Sequence, residues 1–159
     1  MEESKKYRTI LLILAGIFAS CTKNTDNETC EHFVCIAQGV HSNHNGNVSQ
    51  NFIIRTQEEW ENLKTTMLNK LSFREFKIDS ESDIDFDKYQ IIAVFDKERT
   101  NGGWIIKVTF ITEHSDRIVV TVKAYYLGWL IAPKVMTQPY HIVKIPVTTK
   151  RIDFKYINN

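Results

Sequence analysis

Trp104-Ile-Ile-Lys-Val-Thr-Phe-Ile-Thr-Glu113 and, after three residues, Arg117-Ile-Val-Val-Thr-Val-Lys-Ala124 are the stretch that decides the fold class. In the first half Trp104, Ile106, Val108 and Phe110 alternate with Ile105, Lys107 and Thr109. In the second, Ile118, Val120, Val122 and Ala124 alternate with Val119, Thr121 and Lys123. A period of two is that of a β-strand, whose successive side chains leave opposite faces. The link Glu113-His-Ser-Asp116 is short enough to close the two into a hairpin.

Working outward, Tyr89-Gln-Ile-Ile-Ala-Val-Phe95 is almost continuously apolar, as expected of a strand covered on both faces. Tyr140-His-Ile-Val-Lys-Ile145 and Arg151-Ile-Asp-Phe-Lys-Tyr156 add two strands, with Pro146 marking an end or edge because it cannot donate a ladder hydrogen bond. Nearer the amino terminus Phe33-Val-Cys-Ile-Ala-Gln-Gly-Val40 and Asn51-Phe-Ile-Ile-Arg55 read as strands around a polar loop, 41–50. Thr56-Gln57-Glu58-Glu59 then has the form of a capping box, and Trp60, Leu63 and Met67 fall on one face of the helix it starts, about 57–69. Many strands against one amphipathic helix predict an α+β domain: a mainly antiparallel β-sheet or small barrel closed on one side by the helix.

The first twenty-one residues are of a different kind. Lys5, Lys6 and Arg8 precede the apolar run Ile10-Leu-Leu-Ile-Leu-Ala-Gly-Ile-Phe-Ala19, and Phe18-Ala19-Ser20-Cys21 resembles a bacterial lipobox, with Phe18 where Leu is commonest. The apolar run is about half of the roughly twenty residues a spanning helix needs, so a cleaved secretory signal is expected over 1–20. Cys21 would then carry the lipid, a diacylglyceryl group and palmitate, that holds the chain on a membrane of the bacterial cell envelope. Residues 21–31 read as a flexible polar tether and 32–159 as a single β-rich domain. Of 20 basic and 19 acidic side chains, three basic and two acidic precede Cys21, leaving 17 of each. That balance argues against nucleic acid as a partner.

Chemistry-bearing residues are sparse. Cys30 and Cys35 are read either as a disulfide, fitting an oxidising compartment, or as a free thiol in the linker (Cys30) and a buried strand residue (Cys35), because two residues five apart in an extended chain cannot meet unless the backbone turns. Cys30, His32, Cys35, His41 and His44 match no zinc spacing, so no metal is expected. No G-x-S-x-G, no H-E-x-x-H and no phosphate-cradling glycine loop occurs, so neither a catalytic residue nor a cofactor is expected. The most informative local motif is Arg99-Thr100-Asn101-Gly102-Gly103-Trp104, in which Asn-Gly-Gly permits a sharp turn that delivers Trp104 into the next strand. With Trp129, Pro139 and Tyr140 of the later connection, Thr100, Asn101, Gly102, Gly103 and Trp104 are the candidate partner-binding residues.

Ala93-Val94-Phe95, then Thr100-Asn101-Gly102-Gly103-Trp104, then Thr137-Gln138-Pro139-Tyr140-His141-Ile142-Val143-Lys144-Ile145-Pro146 place 85–156 in a pattern that resembles the carboxy-terminal domain family named for PrcB, a lipoprotein subunit of a bacterial surface protease complex. Asn101 stands as an insertion ahead of the glycines, and Trp104 stands where Tyr is commoner. The resemblance implies a non-catalytic accessory subunit with a protein partner, an exported protease in the family's namesake. Two other classes stay open from the sequence: an envelope hydrolase with a site assembled only in space, and a peptide- or glycan-binding module using Trp104 and Trp129.

Overall fold

The computed structural model describes residues 29–30, 33–41, 48–68, 84–128 and 136–158. Within them run β1 (Thr29–Cys30), β2 (Val34–His41), β3 (Gln50–Ile54), α1 (Gln57–Leu63), β4 (Tyr89–Phe95), β5 (Trp104–Glu113), β6 (Arg117–Tyr126), β7 (Gln138–Pro146) and β8 (Arg151–Asn158). They form an α+β fold dominated by two open four-stranded sheets, β1-β5-β6-β8 and β2-β7-β4-β3. Among the described residues the sheets do not close into a barrel; each keeps its own edges, and the two are joined by packing.

The apolar run of β4 explains the layering. Ile92 and Val94 point to the other sheet, where they pack with Ile106, Val108 and Ile111 of β5, Ile118, Val120 and Val122 of β6, and Val143 and Ile145 of β7. Ile91, Ala93 and Phe95 point the opposite way and pack with Trp60 and Leu63 of α1, Ile54, Tyr140 and Ile142. The β2-β7-β4-β3 sheet is therefore the middle of three layers, and β4 is covered on both faces as its composition requires. Each such large apolar side chain contributes about 1.5–3 kcal/mol on burial, so the two cores supply most of the driving force for folding.

Connections follow from this layering. The β5–β6 hairpin turns at 114–116, where His114 N–H donates to Arg117 O at 2.8 Å. Strands β6 and β8 pair in parallel, from Arg117↔Arg151 to Ala124↔Asn158, the one parallel pair among the described strands, the others being antiparallel. A parallel pair needs a return crossing. Here β7, in the other sheet, supplies it.

The helix is shorter than the expected 57–69. Its capping box forms, with Glu59 N–H donating to Thr56 Oγ1 and Thr56 N–H to Glu59 Oε2, both at 3.2 Å. After Leu63 the chain widens into a π-helical turn, Lys64–Leu68. The hydroxyls of Thr65 and Thr66 donate to the carbonyls of Glu61 and Asn62, the latter at 2.7 Å, competing with the backbone N–H groups that an α-helix would direct there. Trp60 and Leu63 are buried as expected, whereas the side chain of Met67 lies outside the described residues.

A second departure lies in β5. Its register with β6 passes from Val108↔Val122 to Phe110↔Thr121, which makes Thr109 the extra residue of a β-bulge. Thr109 Oγ1 donates to Thr121 O at 3.2 Å and holds the distortion. The bulge reverses the phase of everything after it: Ile111 is buried, and Phe110, expected inward from its alternation with Lys107 and Thr109, is 62% exposed on the outer face.

A buried polar contact joins the sheets. Val108 N–H donates to His141 Nδ1 at 3.1 Å, so the neutral ring carries its proton on Nε2. Burial, helped by the charge of Lys107, lowers His141 from its ordinary 6.5 to about 4. Between those values the unfolded chain binds a proton that the folded one refuses, so stability is full above pH 6.5 and falls as pH drops toward 4. The loss should total about 3 kcal/mol. Urea denaturation midpoints across that range should fall more steeply for the native protein than for His141→Gln; identical slopes would rule the imidazole out.

Gly39 faces Tyr140 so closely that a Cβ there would lie 2.8 Å from the phenol oxygen and 3.1 Å from Cζ. Tyr140 is wedged against Phe95, ring centroids 5.8 Å apart, and has no room to retreat. Gly39→Ala should lower stability by about 1–3 kcal/mol in denaturant titration.

Candidate functional site

The loop between β4 and β5 is built around an ion pair. Asp96 is 4% exposed, and its Oδ2 accepts from Arg99 Nε at 2.8 Å and Nη2 at 2.7 Å, while its Oδ1 accepts the N–H of Lys97 at 2.8 Å. The guanidinium in turn lies over the indole of Trp104, 3.9 Å from the ring centroid. A carboxylate at its edge and an indole against its face fix a planar group that Lys would not satisfy.

Trp104 is held from three sides. Its Nε1–H donates to Asn101 Oδ1 at 3.1 Å, Arg99 covers one face, and Tyr126 packs at 5.4 Å between centroids. Gly103 reaches φ +88° to bring the indole there, and a Cβ at that position would stand 3.0 Å from the Tyr126 ring. Both constraints favour glycine. The expected turn chemistry is thus met at Gly103, while Gly102 is buried.

The loop also lies beside the entry to β7. Arg99 and Thr137 exchange two backbone hydrogen bonds, of 2.7 and 2.9 Å, Thr137 Oγ1 donates to Asn101 O at 3.1 Å, and Gln138 Nε2 donates to Asp96 O at 2.9 Å. Above this frame is an open cleft of about 490 Å³ lined by Asp96, Lys97, Arg99 and Trp104 together with Ser49, Ala124 and Tyr156. Tyr156 OH donates to Asn51 Oδ1 at 2.5 Å, linking the β8 edge of one sheet to the β3 edge of the other. Its volume falls within the range of small-ligand or side-chain pockets, and its walls offer an aromatic ring, a guanidinium and an ammonium.

The expected binding residues divide. Thr100 is exposed, and Asn101 and Trp104 are partly so, beside the cleft. Pro139 and Tyr140 do not share this edge: both are buried, Tyr140 at 2% under Phe95 and Gly39. Alternation along β7 turns Tyr140 into the core. Trp129 and Cys21 lie outside the described residues. Cys30 pairs through its backbone with Thr112 of β5, whereas Cys35 is a free, exposed thiol on β2, in the other sheet. Cys35 is thus a strand residue, as one of the two readings has it, but exposed where that reading buries it. Partial burial pushes its thiol above the ordinary value, with Lys107 opposing, which is the reverse of an activated nucleophile. Among the described residues no three His, Cys, Asp or Glu side chains converge on a metal position.

Sequence reading passed over Asp96, Lys97, Tyr156 and Ser49. The first two had a local sign, an Asp directly after an apolar strand and an Arg three residues on. Ser49 and Tyr156 had none, because they reach the cleft from strands distant in sequence.

No protein-family model, curated protein or solved structure matches this chain.

Removing the Asp96 carboxylate leaves Arg99 without its partner against the indole. Asp96→Ala should cost about 3 kcal/mol in thermal or denaturant unfolding, far more than an exposed pair would. Tryptophan fluorescence should change with it as the stack loosens.

Proposed function

We propose that this protein is a cell-envelope lipoprotein, cleaved before Cys21 and anchored there by lipid, whose β domain is a non-catalytic accessory subunit that binds another protein. The observation that carries the binding half is the Arg99–Trp104 stack at the mouth of the cleft. Tryptophan and arginine, held rigid before any partner arrives, are the residues that dominate protein interfaces, because little rotamer freedom is lost when they are covered. The signal-like start and the Phe18-Ala19-Ser20-Cys21 lipobox support the anchoring half. The resemblance of 85–156 to the PrcB carboxy-terminal domain points to an exported protease complex as the class of partner.

Two measurements test the halves separately. Radiolabelled palmitate should enter the native protein and not Cys21→Ser; label persisting in that variant sinks the anchor. Cross-linking in intact cells should join the native protein to one envelope protein, and Trp104→Ala should reduce that product at least about fivefold, the effect of losing a contact worth about 1 kcal/mol. Equal cross-linking by a variant that melts normally sinks the cleft as the binding surface. Substrate turnover abolished by a single polar substitution in the cleft would replace the accessory role with an enzymatic one.

A further inference from the structure

We infer that the outer face of the β1-β5-β6-β8 sheet lies against the anionic headgroups of the membrane that carries the protein, an inference that rests on the lipid-anchor reading above.

Three observations carry it. The first is charge. Ile106 and Val108 of β5 and Val120 and Val122 of β6 fill the core between the sheets, so the alternate residues Lys107 and Lys123 point outward, and the register sets them directly opposite each other. Lys155 follows on β8, aligned with Thr121 and so diagonal to Lys123. Like charges directly across a strand pair sit about 5 Å apart at Cβ and destabilise the sheet, and among the described residues none of these three lysines forms an ion pair. Asp153, the carboxylate on the same face, is already shared by Arg151 at 2.8 Å and Arg117 at 3.8 Å. A chain with 17 cations and 17 anions from Cys21 onward has thus gathered cations on one surface. An anionic sheet of phosphates laid over that face turns the repulsion into attraction.

The second observation is the bulge. By inserting Thr109 it places Phe110 on this same face, 62% exposed and across from Thr121. Ile157, 40% exposed, shares the face from β8. An aromatic ring among lysines is the composition of surfaces that dip into the headgroup layer, where the ring enters the boundary and the ammonium groups meet phosphate.

The third is reach. Thr29 and Cys30 pair with Glu113 and Thr112, and Thr112 stands two residues from Phe110 on the same strand. Eight peptide steps separate Cys21 from Thr29, at most about 29 Å of fully extended chain. A lipid on Cys21 therefore confines this sheet to the bilayer surface through the strand that borders it. Strand β1, where the described chain begins, is the edge strand of the sheet whose outer face carries Phe110 and the lysines.

The experiment uses the processed protein in vesicles of phosphatidylcholine alone or mixed with phosphatidylglycerol. Lysines are acetylated by an impermeant reagent and read by mass spectrometry. Lys107, Lys123 and Lys155 should react roughly fivefold more slowly on the anionic vesicles, the factor expected of one lysine held near such a surface, while Lys88, whose side chain is 72% exposed in its pair with Asp85, is unchanged. Phe110→Ser, at an exposed position that leaves folding intact, should weaken the protection. Equal rates on both vesicles overturn the inference. So does protection in native membranes without protection on phosphatidylglycerol vesicles, which would mean that a protein covers the face. The intact mass of the same sample reports the diacylglyceryl group. If that group is missing, the anchor fails by itself, and cosedimentation with phosphatidylglycerol vesicles, with and without Lys107→Glu and Lys123→Glu, still decides whether the face binds lipid.

Discussion

Burial of β4 on both faces is the constraint that organises this molecule. A strand reading Tyr-Gln-Ile-Ile-Ala-Val-Phe has no side to offer water, so it must be roofed twice. The β5–β6 hairpin provides one roof and α1 the other. Strand β7 shares the burden, pairing with β4 along its whole length while Val143 and Ile145 face one core and Tyr140 and Ile142 the other. A sheet buried on both sides leaves little tolerance for polar groups. His141 is accepted in it only as a neutral ring bonded to the Val108 amide.

The same burial decides which loop can hold the site. Strand β4 ends at Phe95, and the next residue, Asp96, is still 4% exposed. A carboxylate at that depth needs a partner, and Arg99 is the first cation able to fold back on it. The guanidinium then lies where β5 begins, over Trp104. The Arg–Trp stack is thus a consequence of ending a doubly covered strand with an acid, and the Gly103 backbone only admits it.

Layering and strand type were legible in the sequence because both are repeated along many residues: alternation in β6, continuous apolarity in β4, the capping box at Thr56. Single-residue events were not. The Thr109 bulge inverts Phe110 with no local signature, since Val-Thr-Phe-Ile alternates acceptably in either phase. The burial of Tyr140 was hidden for a similar reason: a Pro-Tyr step reads as an exposed turn until β7 is known to sit between two layers. Ser49, Asn51 and Tyr156 meet at the cleft from opposite ends of the domain, through pairing that periodicity does not encode. The polar contacts that could be read in advance were the local ones, between residues three or four apart.

The bulge links the interior of the domain to its surface. Without an extra residue at 109, the inward set of β5 would continue to Phe110 and place Ile111 outside. With it, Ile111 fills the core beside Ile118 while Phe110 is free to meet something else. Isoleucine is the smaller and stiffer of the two and suits a close-packed space between sheets. Phenylalanine outside, near the Lys107–Lys123 pair, carries no benefit for folding, because an exposed ring gains nothing from the core and the paired ammonium groups repel. The outer face thus combines a displaced aromatic ring with lysines that no carboxylate pairs among the described residues. On this protein, that surface borders the strand from which the chain runs back toward Cys21.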